Sequence, residues 1–270
     1  MSIYTDQLNR KIDLPLKPQR IISLVPSQTE LLFDLGLRDE VIGITKFCIH
    51  PNEWFRSKMR VGGTKKYDFE KIKALQPDLI IGNKEENEQE QIQELMKHYP
   101  VWMSDIYSLK DAINMITSLG AIVGKQNEAA NIKGKIEYQF NHLTPFHSKV
   151  NNLPISVAYF IWNNPYMVAG NNTFINDLLK LCGLNNIFVN LDSRYPVVSE
   201  EDIITLNPEI IFLSSEPFPF KEKHIKALKA ICPAAEILIV DGELFSWYGS
   251  RLLKTPEYLK QLSDKFLSLM

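Results

Sequence analysis

The sequence predicts an α/β protein made of two similar lobes, each with a mainly parallel sheet of about four strands, bridged by one long α-helix. Three observations carry that expectation: an internal echo, a set of short continuous apolar runs, and a central stretch of helical periodicity. The segment Lys71 to Ile81, KIKALQPDLII, returns as DIITLNPEIIF from Asp202 to Phe212. Each copy reads as a short helix stopped before its proline, whose ring disfavours αR in the preceding residue, with a buried strand directly after. A second pair precedes it, TELLFDLGL from Thr29 and NDLLKLCGL from Asn176. Both read as helices closing on a glycine, the residue that most readily takes the left-handed conformation. Two echoes in the same order point to two related halves.

The strand candidates follow in chain order. In the first half they are 21–25, 41–44, 79–81 and 101–103; in the second, 155–161, 187–189, 210–213 and 237–240. These are continuous β-branched runs rather than alternating ones, and helical stretches separate them, which favours parallel sheets covered on both faces. Between the halves, Ile113, Ile116, Leu119, Ile122 and Val123 recur at helical spacing, as do Ile132, Ile136, Phe140 and Leu143. Ser108 with Asp111 makes a capping start and Pro145 forbids continuation. A helix of that span is about 50 Å long, although Gly120, Gly124 and Gly134 argue against perfect regularity. The expected division is an N-terminal lobe over 1–108, a bridging helix over 109–146 and a C-terminal lobe over 147–270.

Composition removes several function classes. Over 270 residues, 45% are hydrophobic and 23% charged, which is the balance of a folded globular chain. A net charge of −2 offers no footprint for nucleic acid or anionic lipid. No apolar run is long enough to span a bilayer, and the first residues have no stretch resembling a signal peptide. Cys48, Cys182 and Cys232 are odd in number and far apart, so a disulfide framework is not expected. GxSxG, GxGxxG and GxxxxGK[ST] are all absent. Asp241, Ser246 and His50 have no spacing that supports a triad. His50, His98, His142, His147 and His224 form no tightly spaced pair, so no metal site of the protein's own is expected.

Ligands of open α/β sheets sit beyond the carboxyl ends of the strands. In the first half this rule selects Pro26, Ser27, Lys46, Phe47, Gly63, Thr64 and Asn83. In the second it selects Trp162, Tyr166, Asn171, Ser246, Trp247, Tyr248 and Arg251. Bulky rings at strand ends suit a flat or macrocyclic ligand held by stacking; the competing role for Trp162 and Trp247 is packing against helices. Asn171 opens the helix of the second echo, where capping explains it equally well. Arg251 could clamp a carboxylate or phosphate, or close a salt bridge. Cys48 and His50 could touch a metal carried inside the ligand, or be structural.

The run from Arg20 to Leu32, RIISLVPSQTELL, resembles the opening of cobalamin- and siderophore-binding proteins of ABC importers. Val41 to Pro51, VIGITKFCIHP, together with Val61-Gly62-Gly63-Thr64 and the segment from Leu75 to Ile80, is similar to the cobalamin-binding branch. Asn83-Lys84 stands where that branch often carries a Trp-Arg-type pair. The resemblance runs from about Arg20 to the C-terminus. It implies the helical-backbone metal-receptor architecture, with two α/β lobes, a long helix and limited hinge motion. It implies a monomeric solute-binding component that holds a corrinoid or another metal chelate, such as an iron chelate, in an interlobe cleft, with no cofactor of its own. It further implies a membrane permease as partner, met by one glutamate on each lobe; Glu88 or Glu90 and Glu216 or Glu222 are the candidates, against the simpler role of solvated helix faces. The family implies a periplasmic setting. The N-terminal reading keeps open a cytoplasmic corrinoid-handling protein, or an enzyme acting on such a ligand.

Overall fold

The computed structural model describes residues 2–14, 17–146 and 154–269 and is mixed α/β, with two compact units. The first unit comprises the chain through Ile106 together with Lys110–Glu137 and Trp247–Leu253. It opens with an antiparallel pair, β1 (Ser2–Thr5) and β2 (Lys11–Leu14), closed by a turn in which buried Asp6 accepts from the backbone of Leu8 and Arg10. There follow β3 (Ile21–Ser23), α1 (Pro26–Asp34), β4 (Val41–Ile44), α2 (Asn52–Ser57), β5 (Met59–Arg60), α3 (Phe69–Leu75), β6 (Leu79–Asn83), α4 (Gln89–Met96) and β7 (Val101–Ser104). The five strands from β3 to β7 form one sheet in the order β5-β4-β3-β6-β7, and every pairing is parallel. Ile22, Leu24, Val61, Ile72, Ile80 and Leu95 are buried together on it. Each such side chain contributes roughly 1.5–3 kcal/mol by leaving water.

The central helical stretch is two helices, not the single one expected: α5 (Leu109–Ile122) and α6 (Gln126–Asn141). Gly124 has φ +70°, and Lys125 N–H donates to Gly120 O at 2.7 Å, the glycine-terminated helix end in which a left-handed residue reverses the chain. The periodicity continued through the break because both helices bury a face. Gly120 also has to be small: a Cβ there would stand 2.3 Å from the Cβ of Ala129.

The second unit comprises Tyr107–Leu109, Tyr138–Ser246 and the chain from Lys254. The expected boundary at 146/147, like His147, falls on 147–153, outside the described residues. Its elements are β8 (Ile155–Trp162), β9 (Tyr166–Val168), α7 (Phe174–Leu181), β10 (Leu184–Asn186), β11 (Val197–Val198), α8 (Glu200–Leu206), β12 (Ile210–Ser214), α9 (Glu222–Ile231), β13 (Glu236–Val240), α10 (Gly242–Ser246) and α11 (Thr255–Leu269). Strands β8, β10, β12 and β13 pair in parallel, and an antiparallel ribbon of β9 and β11 extends the β8 edge. The strand expected at 187–189 lies three residues earlier, at β10. Ile187 instead begins a turn, with buried Asn186 donating to Ala169 O and accepting from Phe188 N–H.

Both echoes are structural. Gln76 and Asn207, each followed by proline, end α3 and α8 in the same left-handed conformation, φ 45° and 40°, before β6 and β12. Proline drives its predecessor out of αR as expected, and the left-handed well is where it goes. Gly36 after α1 and Gly183 after α7 also match, at φ +87° and +74°.

Candidate functional site

Because the first sheet is wholly parallel, the carboxyl ends of β3, β4, β5 and β6 share one edge, and their loops form one surface. Beyond β3, Pro26 occupies the first turn of α1, where its missing N–H costs nothing, and Ser27 is buried. Beyond β4, Lys46 N–H donates to Gly62 O at 2.8 Å, and Phe47 stands half exposed with the Lys46 ammonium 5.0 Å from its ring centre. Beyond β5, the turn through Gly62, Gly63 and Thr64 is closed by Gly63 N–H on Lys66 O and by the Tyr67 hydroxyl on Thr64 O. Gly62 has φ +117°, and a Cβ there would sit 2.4 Å from Lys66 O, so only glycine fits.

Beyond β6, Asn83 was expected to face a ligand; its side chain is instead spent inside the protein. It is buried, its Oδ1 accepts from Glu85 and Glu86 N–H, and its Nδ2 donates to Ser104. Asn83 therefore shapes the loop. Glu88, at the N-cap of α4, and Glu90 in its first turn are exposed.

The segment Trp247–Leu253 packs against α1. Arg251 donates through Nε and Nη2 to both carboxylate oxygens of Glu30, each at 2.8 Å, so its carboxylate partner is internal and not a ligand. Its guanidinium also lies 4.5 Å from the Trp247 ring centre, and His50 meets that ring edge-on at 5.6 Å. Trp247 and Tyr248 are both buried. Cys48 is fully buried, its sulfur 3.1 Å from the hydroxyls of Thr29 and Thr45, and burial pushes its thiol pKa up. Burial excludes Cys48 from ligand contact in this structure. Among the described residues no group of three or more His, Cys, Asp or Glu side chains is disposed to hold a metal ion.

In the second unit, Trp162 ends β8 with 40% of its surface exposed. Phe218, in the loop beyond β12, meets it edge-on at 5.5 Å, and Phe220 and His224 back Phe218 at 4.8 and 5.2 Å. Sequence reasoning missed Phe218, although the alternating Pro217-Phe218-Pro219-Phe220 after a buried strand signals a ring held out on a stiff loop. Tyr166 packs against Phe160 at the β9 edge. Asn171 is exposed and accepts from Asn172 N–H, while Thr173 is the residue that caps α7. An open cavity of about 490 Å³ lies at the ends of β12 and β13, lined by Ser215, Glu216, Ile239, Val240, Asp241 and Glu243. Ser246 donates to Glu216, one of the lining residues, and Glu222 is exposed at the start of α9.

The family profile for periplasmic binding proteins matches residues 21–230. The chain belongs to that family. It is 29% identical to a vitamin B12-binding protein of Vibrio parahaemolyticus over 73% of this chain and 70% of the relative. It is 25% identical to the vitamin B12-binding protein of Pectobacterium carotovorum over 90% and 87%. The fold matches the periplasmic vitamin B12-binding protein BtuF of Vibrio cholerae with a TM-score of 0.75 at 24% identity, covering 93% of this chain and all of that one. It matches the petrobactin-binding protein YclQ of Bacillus subtilis with a TM-score of 0.81 at 18% identity, covering 97% of each. Members of the family are substrate-binding proteins that deliver ligands to ABC permeases, and the chain is a binding protein rather than an enzyme. No helix among the described residues is long and apolar enough to cross a membrane.

Proposed function

We propose that this protein is the solute-binding component of an ABC importer and that it binds a corrinoid on the loops beyond the carboxyl ends of its parallel strands. The observation that carries the ligand is the likeness to vitamin B12-binding proteins over most of the chain. The aromatic loops agree with it, each unit taken by itself: Phe47 in the first, and Trp162 backed by Phe218 in the second, are rings of the kind that stack on a broad flat ligand. Exposed Glu88 or Glu90 and Glu222, with half-buried Glu216, are the proposed contacts to permease arginines, where rim charges orient a partner more than they hold it. The protein works as a monomer in this reading. Iron chelates form the second reading, favoured by fold likeness to a siderophore-binding protein.

Titration with cyanocobalamin, cobinamide, haem and ferric siderophores, followed by tryptophan quenching, tests the proposal. Binding of a corrinoid well below about 100 μM, or about −5.5 kcal/mol, is expected; weaker binding by every ligand removes the receptor reading. Trp162→Ala and Phe218→Ala should each weaken corrinoid binding by about 1–3 kcal/mol, the scale of one stacked ring.

A further inference from the structure

Resting on the receptor reading, we propose that Lys46, held over Phe47 on the Gly62–Thr64 turn, selects ligands that carry an anionic oxygen group, carboxylate or phosphate, at the rim of their ring system. The support is built, not incidental. Lys46 is fixed at its backbone by the bond to Gly62 O, and the turn it joins is itself closed by Gly63, Lys66 and Tyr67. Gly63 leaves room for both side chains: a Cβ there would lie 3.3 Å from Phe47 Cε2 and 3.4 Å from Lys46 Cε. Bare backbone at 63 thus lets the lysine stem and the phenyl ring lie side by side on one shelf at the ends of β4 and β5.

The charge on that shelf has no internal use. Among the described residues no carboxylate pairs with Lys46, whereas Lys84 on the neighbouring loop pairs with Asp105 at 2.8 Å. A lysine whose ammonium rests on a half-exposed ring keeps its charge beside an apolar surface. A ring system laid against Phe47 would bring its edge substituents to the ammonium, and an anionic oxygen there gains a charge-assisted hydrogen bond that a neutral amide does not.

Three probes separate the sources of the group: haem offers carboxylates, cyanocobalamin a phosphodiester, and cobinamide neither. Their affinities are measured for the full chain, for Lys46→Gln and for the charge-keeping Lys46→Arg. For whichever anionic probe binds, Lys46→Gln should weaken it about three- to tenfold, Lys46→Arg should recover most of that loss, and added salt should weaken wild type more than Lys46→Gln. Cobinamide affinity should change less than twofold. Equal losses for cobinamide, or unchanged affinity of Lys46→Gln for haem and cyanocobalamin alike, overturn the assignment of Lys46 and leave the receptor reading standing. If wild type binds no probe, the receptor reading falls and this inference falls with it. An unshifted melting temperature in both variants excludes misfolding as the cause of any loss.

Discussion

Arg251 and Glu30, 221 residues apart in the chain, meet through two parallel 2.8 Å hydrogen bonds at a place where each side chain is about nine-tenths buried, with 9% and 11% exposed. The geometry is the bidentate fork that suits guanidinium and carboxylate. Beside it, Ser250 donates to Asp34, and Gly249 lies so close to Ser27 that a Cβ would stand 2.6 Å from its carbonyl oxygen.

A charge left alone there is expensive. Glu30→Ala removes the carboxylate from a buried guanidinium and should cost about 3–5 kcal/mol in urea unfolding, whereas the double change Glu30→Leu with Arg251→Met should recover most of it. A loss below about 1 kcal/mol for Glu30→Ala would mean that water reaches the pair.

The three cysteines give a chemical readout of burial. All are buried and none is in a disulfide, and burial pushes the Cys182 thiol up to about 12. Because the thiolate is the reactive form, the folded protein should release no rapid thiol signal with an aromatic disulfide reagent at pH 8, and all three thiols should react in guanidinium. A fast reaction in the native state would place at least one thiol at the surface.

His224 predicts an acid limb of stability. Its Nδ1 accepts from Lys221 N–H at 2.8 Å, and its ring lies edge-on to Phe218 and Phe220. Burial, then the charges of Lys223 and Lys221, hold its pKa below the usual 6.5. The unfolded chain therefore takes up a proton that the folded one refuses, so this contribution is present above pH 6.5 and is lost as pH falls toward the folded pKa. Urea midpoints at pH 7.5 and 5 should fall less in His224→Gln than in wild type; equal falls would assign the limb to other groups.

The sequence legibility of these features differed for physical reasons. The strands β4, β6, β8, β12 and β13 are continuous apolar runs bounded by proline, glycine or polar residues, so local chemistry reveals them. Strands β1, β2, β9 and β11 are two to four residues long and defined by a partner, which no local pattern shows. The split between α5 and α6 was hidden because periodicity records burial and not continuity, though Gly124 marked the place. In the site, the strand-end rule selected Phe47, Gly63 and Trp162, and the structure places Phe47 and Trp162 partly exposed at strand ends. It could not show the partners of Asn83 and Arg251, Ser104 and Glu30, which are 21 and 221 residues away; for Arg251 the salt bridge was one of two open readings. Phe218 lies two residues beyond Glu216, past Pro217, in the loop that follows β12.

Because Trp247–Leu253 belongs to the first unit, that unit is not encoded by one uninterrupted stretch of the gene. A fragment ending at Glu137 would carry the whole five-stranded sheet and still leave Glu30 and Asp34 facing nothing. Protease nicking in the chain after α6 should then yield two pieces that stay associated, since the later piece supplies the earlier one with its arginine. Dividing this protein into independently expressed halves would require grafting the seven residues Trp247–Leu253, which precede α11, onto the first unit, and Tyr107–Leu109 onto the second.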